Sequence, residues 1–237
     1  MKERIKQFIK KLPIRFTKNQ HYDFFTKKII REHCSPDSNC IDAGTHKGEI
    51  MDLFLKYAPN GMHYGFEPIP DLFFALKKKY KAISNCTIFP FALSSVKEKT
   101  SFNYVTTNPA YSGLKKRKYD RPEKEIEITV QTERLDDMIP AGLPIRMIKI
   151  DVEGAELGLM QGAVKTLSKY KPLVVFETGI GGSDVYGTTP EKIFAFLSGF
   201  NYSVNLLDRF LKKKPALSEK EFCNQFYKRK NYYFIAS

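Results

Sequence analysis

The chain has 237 residues, 27% of them charged, with a formal net charge of +13 and a pI near 9.4. That length suits one α/β domain with a sizeable core, and the charge favours an anionic partner such as nucleic acid, an acidic or phosphorylated glycan, or an anionic membrane surface. No apolar run reaches the roughly 18 residues of a membrane helix and no secretory apolar core follows the charged start, so a soluble chain is expected.

Residues Met1 to Pro13 make a short basic amphipathic segment, with Ile5, Phe8, Ile9 and Leu12 on one face. Such a stripe packs on its own domain or lies on a membrane surface. A helix is predicted over His21 to His33, broken by Ser35-Pro36-Asp37. Residues 1–38 are therefore read as a helical extension and 39–237 as the main domain.

The next stretch, CIDAGTHKGE from Cys40 to Glu49, reads as strand, tight turn and helix, with Met51, Phe54, Leu55 and Ala58 on the apolar face of the helix. Gly44 and Gly48 allow a ligand to approach backbone that a Cβ would block, beside unpaired N–H groups of the new helix. Pro59-Asn60-Gly61 stops that helix, and the strand HYGFE delivers Glu67 about twenty residues after the turn, where a carboxylate can accept two bonds from ribose hydroxyls. A helix follows Pro70, with Leu72, Phe73 and Leu76 inward and a basic end at Lys77 to Lys81, and a third strand spans Cys86 to Phe91.

From residue 100 to 131 the pattern changes to strand-like pieces around a basic loop, Lys115 to Arg121, read as an insertion over the sheet edge or the ligand mouth. IRMIKIDVEGAE then gives a strand from Ile145 to Ile150, Asp151 at its tip, and one helix presenting Met160, Ala163, Val164 and Leu167. LVVFE is a buried-type strand delivering Glu177, the loop Thr178 to Thr188 is glycine-rich, and Thr189-Pro190 starts a helix with Ile193, Phe194 and Leu197 inward. Strands at Tyr202 to Leu207 and Tyr232 to Ile235 close the chain. Strand and helix alternate, which argues for a parallel sheet.

Asp42, Glu67, Asp151 and Glu177 all fall at carboxyl ends of predicted parallel strands, the edge at which open α/β sheets bind ligands. Cys34, Cys40, Cys86 and Cys223 lack CxxC spacing and the histidines are dispersed, so no metal site is expected and the thiols read as reduced, in a cytoplasmic setting.

IKIDVEGAELGLMQGA, with DAGTHKG upstream and FEP at Glu67, resembles the FkbM-type S-adenosylmethionine-dependent methyltransferases over about residues 39–177. The resemblance implies a Rossmann-like class I methyltransferase fold, a seven-stranded mostly parallel sheet with an antiparallel last strand and helices on both faces. It implies S-adenosyl-L-methionine as cofactor, its methionine portion over Asp42, Ala43 and Gly44, with Gly48 and His46 nearby, its ribose on Glu67 and its adenine beside Ala92. Asp151 would lie near the transferable methyl, with Glu153 and Glu156 shaping the pocket floor. His46 stands where the family more often has asparagine.

The leading reading is O-methylation of a hydroxyl on a sugar, glycan or other small metabolite, acidic if the basic loops face it. Asp151 is the first candidate base and His46 the second, because its unperturbed pKa lies near neutrality. Glu153, Tyr111, Ser112 and Glu177 are candidate substrate residues. One alternative is a nucleic-acid methyltransferase, because Asn108-Pro109-Ala110-Tyr111 is similar to the NPPY loop of amino methyltransferases. The other is a non-catalytic module for anionic glycans or lipids. A dinucleotide oxidoreductase lacks its third glycine.

Overall fold

In the computed structural model, residues 17–119 and 121–237 are described. The amphipathic segment Met1 to Pro13 lies outside them. Ten strands are present among the described residues: β1 Asn39–Ala43, β2 His63–Phe66, β3 Cys86–Phe89, β4 Phe91–Leu93, β5 Glu98–Val105, β6 Glu125–Glu133, β7 Ile145–Ile150, β8 Leu173–Glu177, β9 Val204–Leu206 and β10 Tyr233–Ala236. Seven form one sheet in the order β3-β2-β1-β7-β8-β10-β9. β10 runs antiparallel to β8 and β9, while the other adjacent pairs are parallel. This is the Rossmann-like architecture expected of a class I methyltransferase.

Strand alternation sorts the core onto two faces. Ile41, Ala43, Ile148, Ile150, Val174, Phe176 and Phe234 face one side, where Leu159, Leu167, Ile193, Leu197 and Phe222 from helices cover them. Cys40, Met147, Leu173, Val175 and Ile235 face the other, against Ile29, Ile30, Phe54 and Leu207. The helix Lys18–His33 thus supplies core, although the sequence reads it as an extension. Thr17 starts it with a capping box shared with Gln20. Among the described residues, no helix is long and apolar enough to cross a membrane.

Three predicted elements are corrected. The third strand ends at Phe89, because Pro90 offers no N–H to continue a ladder, and Phe91–Leu93 instead pairs in parallel with β6 in a separate three-stranded sheet, β4-β6-β5. The single helix after Asp151 is two, Glu156–Gln161 and Val164–Tyr170. At the break, a Cβ on Gly162 would stand 2.1 Å from the Ser94 carbonyl oxygen, so the backbones are in direct contact. Asp136 restarts the helix by accepting bonds from Lys165 N at 2.7 Å, Thr166 N at 2.9 Å and Thr166 Oγ1 at 2.7 Å. The strand predicted over Tyr202 to Leu207 covers only Val204–Leu206. It is followed by helices Leu207–Leu211 and Glu219–Tyr227, which hydrophobic periodicity did not reveal.

The Asp136 cap carries a prediction. Asp136→Ala should lower the unfolding free energy by about 0.5–2 kcal/mol, as loss of an N-cap does, and Asp136→Asn by less. Urea unfolding of the three proteins checks the order.

Candidate active site

At the carboxyl edge of the sheet, a cavity of about 330 Å³ is lined by Asp42, Ala43, Gly44 and His46 from the first turn. Glu67, Ala92, Ser112, Asp151 and Glu153 also line it. Gly44 has φ 79°, and a Cβ there would lie 1.9 Å from the Asp151 carbonyl oxygen, so glycine lets the ends of β1 and β7 converge. Gly48, expected on the same floor, faces elsewhere. At φ 83° it opens the helix Glu49–Tyr57, its carbonyl accepts a bond from Tyr80 OH at 2.9 Å, and a Cβ would meet that hydroxyl at 2.2 Å.

Glu67 is buried, with Oε2 accepting from His46 N at 2.8 Å and Oε1 from Ile69 N at 2.9 Å. Burial pushes its carboxyl up to about 7 despite both bonds. Each oxygen keeps a lone pair for a further donor. Burial pushes Asp42 up to about 8, and its Oδ2 is buried without a partner; Thr26 Oγ1, on the same cavity, is also buried and unpartnered. Two buried polar atoms left unpaired beside a cavity suit a polar ligand. His46 stands at φ 49°, half-buried, its imidazole lowered by burial and its Nδ1 4.0 Å from Glu49.

Asp151 is held on its Oδ2 by two donors, Lys149 Nζ at 3.0 Å and Tyr233 OH at 2.5 Å, and Lys149 Nζ also lies 3.2 Å from the Tyr233 oxygen. Burial alone would raise the Asp151 carboxyl, but the Lys149 charge and these bonds bring it below the ordinary value. Asp151 is therefore ionised at neutral pH and oriented.

Tyr111, Glu156 and Glu177 line a second cavity of about 380 Å³. Glu153, at φ 56°, lines both cavities, and its Oε2 is 2.6 Å from Arg117 Nη1. Burial first, then Asp151, pushes the Glu153 and Glu177 carboxyls upward. Glu156 was expected to shape the pocket floor. It lines the second cavity and not the first, and it accepts from Gly154 N at 2.8 Å and from Ser183 Oγ at 3.4 Å.

A sequence profile described as the methyltransferase FkbM domain matches residues 42–204, more than half of the chain. The chain belongs to the FkbM methyltransferase family. It is 26% identical over 192 residues to methyltransferase sdnD of Sordaria araneosa, covering 65% of this chain and 74% of that protein. It is 26% identical over 161 residues to the 2-O-methyltransferase NoeI of Sinorhizobium fredii, covering 60% of this chain and 64% of that one. The crystal structure of methyltransferase FkbM from Methylobacillus flagellatus superposes with a TM-score of 0.55 at 14% identity, over 86% of this chain and 44% of that chain, which speaks for the fold alone.

In this FkbM domain several site residues escaped the sequence reading. Lys149 looked like an interior strand residue, Tyr233 lay in a strand at the far end of the chain, and Thr26 sat on the presumed extension. The signal available for Lys149 was its charge within an apolar strand, IRMIKI, since a buried cation needs a partner. The tetrapeptide Asn108 to Tyr111 forms a 3-10 turn in the insertion. The loop after β7, where the domain carries its DVEG run, is a different segment, so the likeness to the NPPY loop has no positional counterpart.

Proposed function

We propose that this FkbM domain transfers a methyl group from S-adenosyl-L-methionine to a hydroxyl of a sugar or other small hydroxylated metabolite. The observation that carries the reading is one cavity walled by an unpartnered buried carboxylate oxygen, Asp42 Oδ2, and by a second buried carboxylate, Glu67, whose oxygens have acceptor capacity left. That pair suits a ligand with a cationic end and vicinal hydroxyls. The name of NoeI, a 2-O-methyltransferase, supports oxygen as the acceptor atom.

When bound, the cofactor supplies an electrophilic methyl on a sulfonium. The chain's own part is positioning and proton removal. Glu67 would accept the ribose hydroxyls and Asp42 and Thr26 would receive the amino-acid end, while Gly44 lets the backbone ahead of Asp151 approach the first turn. Asp151, ionised and fixed by Lys149 and Tyr233, accepts the hydroxyl proton, with His46 as the second candidate.

Calorimetry with S-adenosylhomocysteine tests the reading through a pH signature. Ribose bonds favour ionised Glu67, so binding releases a proton below the free-protein value of about 7. From Glu67 alone, affinity should rise roughly tenfold from about pH 6 to about pH 8. Asp42 adds its own rise nearer 8, so Glu67→Gln isolates the Glu67 share: that variant should bind about 1.5–3 kcal/mol more weakly and lose part of the slope. Wild-type affinity and slope in folded Glu67→Gln would remove the ribose assignment, and no binding at any pH would remove the cofactor.

A further inference from the structure

We infer that the second cavity is the acceptor subsite and that Arg117 there reads a carboxylate or phosphate on an acidic sugar. This deepens the methyl-transfer reading and rests on it for the word acceptor. The first observation is adjacency. Glu153 lines both cavities, and consecutive residues such as Ala110 and Tyr111, or Tyr233 and Tyr232, line one and the other, so the second cavity lies directly beside the first. A second cavity next to the proposed cofactor cavity is where the other substrate of a transfer would sit.

The second observation is the state of Arg117. Its guanidinium lies 4.6 Å from the centre of the Tyr111 ring, and Nη1 is bonded to Glu153, while Nε is buried without a partner. Stacked and tethered, the fork is pre-organised yet has donors to spare, which is the arrangement that recognises a planar carboxylate or a phosphate. Lys118 and Arg229 line the same cavity and add to the positive field. Of the carboxyls on this cavity, Glu153 and Glu177 are pushed upward by burial and then by Asp151, while Arg117 draws Glu153 and Lys149 draws Glu177 the other way.

The third observation is the wall. Tyr111 and Tyr119 are parallel within 4° with ring centres 5.9 Å apart, and the Tyr119 hydroxyl is locked between Asn103 at 2.6 Å and Glu125 at 2.9 Å. A rigid aromatic wall offers apolar surface to the C–H face of a sugar ring, with little side-chain entropy left to lose. Beside Arg117, Gly154 and Gly182 are in backbone contact: a Cβ on Gly154 would meet Gly182 at 2.5 Å, and one on Gly182 would lie 3.8 Å from Arg117 Nη1. The loop after β7 and the glycine-rich loop after β8 therefore form one wall.

The test titrates the whole protein, with and without saturating S-adenosylhomocysteine, with methyl β-D-glucuronide, glucose 6-phosphate and neutral methyl β-D-glucoside, following binding by NMR. At least one acid should bind about tenfold or more tightly than the neutral glucoside, and the better acid identifies the anion. Arg117→Met should abolish that preference while leaving S-adenosylhomocysteine affinity unchanged. Arg117→Lys keeps a cation beside Glu153 should the first variant unfold, and it should still lose most of the preference because the fork is gone. Equal binding of all three sugars, no binding of either acid up to roughly 10 mM, or an acid preference intact in both folded variants overturns the inference. Acid binding through Arg117 without S-adenosylhomocysteine binding would keep the subsite and discard the cofactor reading instead.

Discussion

Asp151→Asn is expected to slow single-turnover methyl transfer by about 10²–10⁴-fold while leaving S-adenosylhomocysteine affinity close to wild type. The substitution keeps the volume at the tip of β7 and an oxygen able to accept from Tyr233, but removes the charge that would take the acceptor's proton. Lys149 and Tyr233 both bond the same oxygen, Oδ2, and Asp151 lines the first cavity beside Asp42 and Glu153. Transfer is read with methyl-labelled S-adenosylmethionine at saturation, on whichever acceptor a glycan screen yields. The informative comparison is Glu153→Gln, since Glu153 stands at the junction of the two cavities. If Asp151→Asn transfers near the wild-type rate, Asp151 serves only to hold Lys149 and Tyr233, and the base is His46 or, should Glu153→Gln alone lose transfer, Glu153.

Lys149→Met should produce the largest loss of stability, about 2–3 kcal/mol at neutral pH. Removing one partner of a buried pair leaves the other charge uncompensated, which costs about 3–5 kcal/mol when both groups are fully enclosed. Lys149 has 5% of its side chain exposed but Asp151, which lines the cavity, has 29%, so a cost at or just below the bottom of that range applies. The sign with pH follows from the Asp151 carboxyl. In the wild type its folded value is depressed, so its stabilisation is present above the unfolded value near 4 and lost as pH falls through the folded one. Without Lys149 the folded value rises above the unfolded one, and stability then falls as pH rises between the two. The gap between wild type and variant should therefore be widest near neutrality and smallest below about pH 4. Denaturant unfolding at three pH values checks it; a gap that does not vary with pH would mean that Lys149 contributes packing alone.

How much of this was legible beforehand depends on the range of the interactions involved. The strand, turn and helix around Gly44, the delivery of Glu67 and the strand that ends at Asp151 were readable because each rests on local chemistry: apolar patterning, a glycine at a close approach, a proline or glycine stop. The split of the helix after Asp151 was not readable, because the groups that split it, Ser94 and Asp136, come from outside it. The period of two in IRMIKID says that Lys149 shares a face with Met147, but it cannot say which strands lie alongside.

That information is held in the pairing. β1 aligns Asp42 with Lys149, and β10 aligns Tyr233 with Glu177, so four polar residues from four strands stand on one face at one edge. Tyr233 reaches Asp151 across 82 positions of chain, and Arg117 reaches Glu153 from an insertion that the alternation of strand and helix passes over. By itself the sequence determined the local geometry of the first turn, the kind of fold and the rim on which the carboxylates sit. The tertiary structure alone decided which cation neutralises which carboxylate, because strand register and loop closure are set by long-range burial, and a residue's own neighbours in sequence carry no record of it.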